Sequence, residues 1–516
     1  MANKKETTTD GNNLRLLLLM TLWSAAVLLL MSIDSPLHGG YNHLDSGWFF
    51  MCGKAVMNGL QPYVEFSDSK GPLLWLVYGV GYLLSPHTYH GVYVMGVLFY
   101  AGTFYYNFKT ARLLLGDDRR AWVVTLLMPM VYFQYWFYYE FRAEDFCNLF
   151  VAASMYFLFA AVYGSGGATA HSTGGGVAAQ QGGRPTARRC GLVLGGCFMA
   201  LVMVKYSIAV MQGSMVAVAL WYWLWVRGDY GFVKWLAAGM AAVALPFVGW
   251  LASVGSLSAF IGEYFVNTLR TVSSDKGLAP TLLHEIAQSW GTVNSQALLL
   301  LTVLGGWLLS RRLERCRYVP LGIALFFFLI ATRHNMNYYY AACYMFVIYL
   351  FIYIAGLSSK PLSQRAVVAA VAVVIGWGVF ENVRDLSYIG RTAVWADNKD
   401  RQNYERLSAN ITGDKPTMMT LFAGEFGFGM KAGALPAGKY WCRQVGSTPE
   451  MDREHVALLR SGRADYVVAY NAALCRSRGL STELIHSYGY EPCDSLTYVD
   501  YKNHRRTTIV YRKVAR

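Results

Sequence analysis

Long apolar runs separated by short polar breaks dominate the chain up to Phe380. They cover Leu14–Ile33, Gly91–Asn107, Ala121–Tyr138, Phe146–Tyr163, Gly191–Val204, Ser207–Val226, Trp235–Leu251, Ala297–Ser310, Val319–Ala331, Tyr340–Leu357 and Val367–Phe380. A spanning helix needs about 20 residues, so the shorter runs must extend into flanking polar positions. The pattern predicts an α-helical polytopic membrane protein of about eleven transmembrane helices. "SIDSPLHGG" after the first run lacks a small-x-small cleavage site, so Leu14–Ile33 is expected to stay as an uncleaved anchor.

The first outer loop, residues 34–90, departs from this pattern. Trp48, Cys52, Ala55, Val56 and Gly59 recur on one helical face, with Ser46, Lys54 and Asn58 opposite. This predicts a short amphipathic helix in the outer interface, with Trp48 at headgroup level. "NGLQPY" ends it, because Asn-Gly and Pro favour turns. Gly71–Leu84 is apolar but too short to cross, and is predicted to be re-entrant or interfacial.

Charge sets the orientation. Lys4, Lys5 and Arg15, then Lys109, Arg112, Arg119 and Arg120, then Arg184, Arg188 and Arg189 mark alternate loops. Arg227 with Lys234, Arg311, Arg312, Arg315 and Arg317, and finally Lys360 and Arg365 continue the series. Basic loops stay cytoplasmic, which puts the N-terminus inside and the C-terminus outside a plasma (inner) membrane. The composition agrees, at 55% hydrophobic and 15% charged residues. The net charge of +14 is largely this loop bias, and no basic patch interleaved with aromatics suggests nucleic acid.

Two stretches differ in composition. Residues 164–190 are rich in Gly and Ala and read as a flexible cytoplasmic linker. Residues 381–516 hold 35 charged residues in 136, against 41 in the preceding 380, so they read as a soluble extracytoplasmic domain. There "DREHVALLRSG" has helical spacing, while "ADYVVAY", "SLTYVDY" and "TTIVYRKV" read as strands, predicting a small α/β domain. Cys442, Cys475 and Cys493 fall in this tail, where a disulfide is permitted; their odd number leaves at least one free or paired elsewhere.

Candidate chemistry gathers at the outer helix ends. Asp45 and Lys70 lie in the first loop, and "YYEFRAEDF" brings Glu140, Arg142, Glu144 and Asp145. Lys205-Tyr206 and "ATRHNMNYYY", with Arg333 and His334, lie at later outer ends. Charges near the bilayer are costly unless they face one another or water, so these clusters imply a cavity opening outward. A carboxylate there can deprotonate an acceptor hydroxyl, and nearby cations can hold a departing phosphate. That lining suits sugar transfer from a lipid phosphate.

An aspartate just after the first span, a short helix, then "G-x-x-P-Y" and "K-G-P-L-L-W" resemble the GT-C superfamily of integral-membrane glycosyltransferases. Within it the chain looks like the branch of the lipid A aminoarabinose transferase and protein O-mannosyltransferases. "GLVLGGCFMALVMVKYSIAV" is similar to that branch's fifth and sixth helices, with a Lys at the outward turn. The resemblance covers roughly residues 10–380 and makes residues 1–380 a GT-C-like transferase domain. In the aminoarabinose transferase the stretch matching Ser69-Lys70-Gly71-Pro72 reads Glu-Lys-Pro, so here Ser69 replaces the Glu and a Gly is inserted.

The resemblance implies a polyprenyl-phosphate sugar donor, a glycolipid, glycan or protein acceptor, and inversion at the anomeric carbon. By position, it implies that Asp45 is the catalytic base and that Asp145 or Glu144 is the second acid. Lys70 matches the lysine near the donor phosphate, with Lys205, Arg333 and Arg142 as further phosphate-facing cations. Some members bind a divalent metal between the two acids; this sequence leaves the metal undecided. The rival reading is a transporter or flippase of lipid-linked glycans, but such proteins place ionisable groups near the midplane and show paired halves. A non-enzymatic envelope scaffold would not require the acid–base clusters.

Overall fold

The computed structural model describes residues 3–32, 34–37, 44–129, 140–163, 185–267, 352, 405–422, 427–442, 449–499 and 505–514. The predicted spans from Ala297 to Phe380 and most of the predicted linker lie outside these residues. Eight helices of the N-terminal half are α1 (Asn3–Met31), α2 (Leu44–Met57), α3 (Pro72–Leu84), α4 (His90–Leu115), α5 (Asp118–Leu127), α6 (Ala143–Tyr163), α7 (Ala187–Trp221) and α8 (Gly231–Ser253). Asn13–Met31, Ala143–Val162, Ala187–Val226 and Gly231–Ser253 are long and apolar enough to cross a membrane. The chain is an integral membrane protein.

The 35-residue stretch of α7 is not one straight rod. At Lys205 the backbone is extended (φ −156°, ψ 100°), which breaks the helical hydrogen-bond ladder. In a straight helix Cys190 and Trp223 would lie about 50 Å apart at 1.5 Å per residue. Instead they interact, and a Cβ built on Gly213 would fall 3.8 Å from Phe198. The stretch is therefore a helical hairpin that reverses at Lys205, as the two separate apolar runs in the sequence predict. Small residues let the next helix approach. A Cβ on Gly195 would sit 2.1 Å from the Leu236 carbonyl oxygen, and one on Gly239 would sit 2.2 Å from that of Leu192. Such close backbone contact is how membrane helices gain packing where the hydrophobic effect between them is absent.

The C-terminal stretch forms a five-stranded sheet in the order β2-β1-β3-β5-β4. Its strands are β1 (Thr417–Thr420), β2 (Leu435–Pro436), β3 (Tyr466–Ala469), β4 (Tyr490–Val499) and β5 (Arg505–Lys513). β1 pairs in parallel with β2 and β3, while β5 runs antiparallel to both β3 and β4. The predicted helix of "DREHVALLRSG" falls on the helix Pro449–Arg460, with its last two residues beyond it, and the three predicted strands fall on β3, β4 and β5. Cys442 and Cys475 are buried and Cys493 is exposed.

One expectation is corrected. α2 is a helix, but Trp48 and Lys54 on its two sides are both covered by protein, at 4% and 2% exposed. Trp48, Met51, Cys52 and Ala55 join one apolar cluster with Met418, Phe428 and Trp441 of the C-terminal stretch. The polar side of the helix is closed by the same contact, where the Lys54 ammonium donates to the Gly429 carbonyl at 3.3 Å. Periodicity showed two faces of α2 but not that protein covers both. α3, in turn, packs against α2, α4 and the α7 hairpin.

Candidate active site

Asp45 sits in the first turn of α2, where the helix dipole favours an acid. Its Oδ2 lies 3.8 Å from Nε of Arg142, and the Asp45 side chain is 19% exposed against 4% for Arg142. Arg142 also holds Glu140, with Nε and the terminal nitrogen both 3.1 Å from Oε1. Burial first, and then the Glu140 charge, push the Asp45 carboxyl up to about 6, while Arg142 and Lys70 pull it back. An acid held near that value is a usable base at neutral pH, since it is mostly ionised yet still basic.

Glu144 and Asp145 both fall in the first turn of α6, but they part there. Glu144 forms a buried ion pair with Lys205 at the reversal of the hairpin. Asp145 accepts the backbone N–H of Arg142 at 2.8 Å and the hydroxyl of Tyr100. Of the two, Glu144 meets a cation and Asp145 closes the start of its own helix.

Lys70 arrives on a loop whose neighbours are pinned. The Gly71 amide donates to the Val204 carbonyl at 3.0 Å, one residue before Lys205. A Cβ on Gly71 would lie 2.0 Å from the Met203 carbonyl oxygen, so only glycine permits this approach. The Gly that interrupts the family-like Lys-Pro pair therefore has a geometric reason. The Tyr63 hydroxyl donates to the Lys70 carbonyl at 2.9 Å, and the Lys70 ammonium donates to Ser69 Oγ at 3.2 Å. The ammonium lies 5.6 Å from the ring centroid of Phe49, one turn along α2 from Asp45.

Glu140, from the charged stretch "YYEFRAEDF", belongs to this cluster, and so do Asp34 and Asp68, which no sequence pattern marks. Asp34 Oδ2 accepts from the Phe141 amide at 2.7 Å and from Ser46 Oγ at 3.1 Å. Ser46 N–H donates to Glu140 Oε2 at 3.1 Å. Asp34 thus ties the end of the first helix to the loop that carries Arg142. Burial foremost, with Glu140 and Asp145 adding to it, pushes the Asp34 carboxyl up to about 8. A lone Asp directly after an apolar run looks like an ordinary loop residue in sequence. Arg333 lies outside the described residues.

A metal fits this donor set poorly. Glu140 and Glu144 are each neutralised by a cation, Asp145 is occupied by Tyr100 and a backbone amide, and among the described residues no three His, Cys, Asp or Glu are grouped to hold an ion.

No protein-family model and no curated protein matches the sequence. Solved structures do. A crystal structure of ArnT from Cupriavidus metallidurans bound to undecaprenyl phosphate is similar with a TM-score of 0.58 at 13% identity, covering 95% of this chain and 97% of that one. The apo form of the same protein is similar with a TM-score of 0.55 at 12% identity, over the same shares of both chains. At this identity the likeness is one of fold alone: the backbone of this chain follows that of ArnT.

Proposed function

We propose that this protein is a membrane glycosyltransferase that moves a sugar from a polyprenyl-phosphate donor to a glycolipid, glycan or protein acceptor at the outer membrane face. The observation that carries this reading is the convergence on Asp45: Arg142 contacts it, and Lys70 acts on it electrostatically. Its support from fold is the ArnT backbone, which in that protein holds undecaprenyl phosphate.

Asp45 accepts the proton of the acceptor hydroxyl as its oxygen attacks the anomeric carbon. The bond from that carbon to the phosphate oxygen breaks on the opposite face, and configuration inverts. Negative charge grows on the leaving phosphate, and Lys70 stabilises it at short range. Arg142 and Lys205 are already paired with Glu140 and Glu144, so they shape the local field and hold the acids in place more than they neutralise phosphate.

The test is transfer of radiolabelled sugar from a synthetic prenyl-phosphate donor to a membrane fraction by purified full-length protein. Transfer by the wild type that is lost in Asp45→Asn supports the reading. Donor movement across vesicles without covalent transfer would replace it with a flippase.

A further inference from the structure

The segment Ser67-Asp68-Ser69-Lys70 is held on every side. Ser67 N–H donates to the Lys439 carbonyl at 3.1 Å, and Ser67 Oγ to Glu263 at 3.3 Å. Glu263 is itself fixed by the Tyr440 hydroxyl at 3.0 Å and the Lys439 ammonium at 2.7 Å. Asp68 is 4% exposed. Its Oδ1 accepts the Ser69 amide at 2.6 Å and Ser69 Oγ at 3.4 Å, which fixes the plane of the carboxylate.

The other oxygen, Oδ2, is buried and has no hydrogen-bond partner among the described residues. An unmatched buried acceptor of this kind is costly and calls for a partner. Asp68 also acts electrostatically on Lys70 and Asp45, so it borders the same site. Lys70 already supplies positive charge beside it, which leaves a neutral donor as the matching partner.

We propose that Asp68 Oδ2 accepts a hydrogen bond from a ring hydroxyl of the transferring sugar, making Asp68 a contact for a neutral, hydroxylated glycosyl group on the donor. This rests on the glycosyltransferase reading and deepens it. The pinned loop would then divide the donor between two neighbours, with Lys70 on the phosphate and Asp68 on the sugar. Replacing Asp68 by Asn keeps the shape but puts an N–H where the acceptor oxygen stood.

The test measures binding to full-length protein in nanodiscs. The probes are bare prenyl phosphate and prenyl-phosphoryl mannose, glucose, galactose and arabinose. Wild type should bind at least one glycosyl probe more tightly than bare prenyl phosphate. Asp68→Asn should weaken that probe by about 10-fold or more, as expected for one hydrogen bond to a charged group, and leave bare prenyl phosphate within about twofold. Lys70→Met should weaken both probes together. On wild type alone, removing one ring hydroxyl at a time should identify a deoxy probe that loses about 10-fold, a measurement that needs no folded variant. No gain from any sugar, no loss with any deoxy probe, or equal weakening of both ligands by Asp68→Asn would overturn the sugar contact while leaving lipid-phosphate recognition in place. Failure of wild type to bind even bare prenyl phosphate would overturn the glycosyltransferase reading itself.

Discussion

Nε of Arg142 lies 3.8 Å from Oδ2 of Asp45, while the same guanidinium bonds Glu140 at 3.1 Å. The start of α2 and the stretch before α6 thus share one cation, and Asp45 is held in a fixed relation to α6. The spacing to Asp45 is long for a direct hydrogen bond, so the carboxylate stays available to an incoming hydroxyl.

Asp45→Asn should lower transfer by about 10² to 10⁴, the usual loss on removing a general base. Donor binding should be unchanged, and the loss should appear in kcat. The base must be ionised to act, and its carboxyl is pushed up to about 6. The wild-type rate should therefore rise with pH through about 6 and level off above it. Near-normal transfer by well-folded Asp45→Asn protein would reduce Asp45 to a residue that merely favours the start of α2, since Asn caps about as well as Asp.

Lys205→Met should leave the buried Glu144 carboxylate without its cation. Breaking a buried pair from one side costs about 3–5 kcal/mol, so the thermal midpoint should drop clearly. Adding Glu144→Gln should recover part of that loss. A double variant less stable than the single one would mean that the pair is not the interaction that matters.

Gly71→Ala introduces a Cβ into the space of the Met203 carbonyl, 2.0 Å away. The loop must move off the hairpin and take Lys70 with it. Transfer should fall by about 10²-fold for a displacement near 1 Å, with little change in expression. Steady-state assay beside a thermal melt separates the two effects.

Asp34 carries a stability prediction with a definite sign. Its carboxyl is raised from 3.8 to about 8 in the folded protein, so between these values the native state binds the extra proton. Stability from this group should therefore fall as pH rises through that window. Asp34→Asn cannot ionise. Melting curves between about pH 5 and 8 should be flatter for the variant than for wild type.

Cys493 offers a test of topology. It is exposed, while Cys442 and Cys475 are buried. A membrane-impermeant maleimide should label intact cells at Cys493 and lose that label in Cys493→Ser. A cysteine placed within residues 165–184 should be protected until the cells are opened. The opposite pattern would put the C-terminal stretch inside and remove the outward site.

Much was legible in the sequence because it depends on local pattern. Apolar runs mark the membrane helices, and alternation marks β3, β4 and β5. The charged stretches between apolar runs pointed to the candidate site, since charge beside a bilayer needs a reason. Lys205 stood between two apolar runs and is the residue at which the hairpin reverses. What needed the tertiary structure depends on partners far away in the chain. Glu144 and Asp145 are neighbours with the same chemistry, and only the approach of Lys205 to one and Tyr100 to the other separates them. Asp34 and Asp68 look like ordinary loop acids until Phe141, Ser46 and the Lys70 loop surround them. The two faces of α2 were visible, yet Gly429, which meets the Lys54 ammonium on its polar side, is 375 residues away. Periodicity reports which side chains share a face; burial by distant chain, which also sets the charge state of Asp34 and Asp45, is decided only when the elements pack.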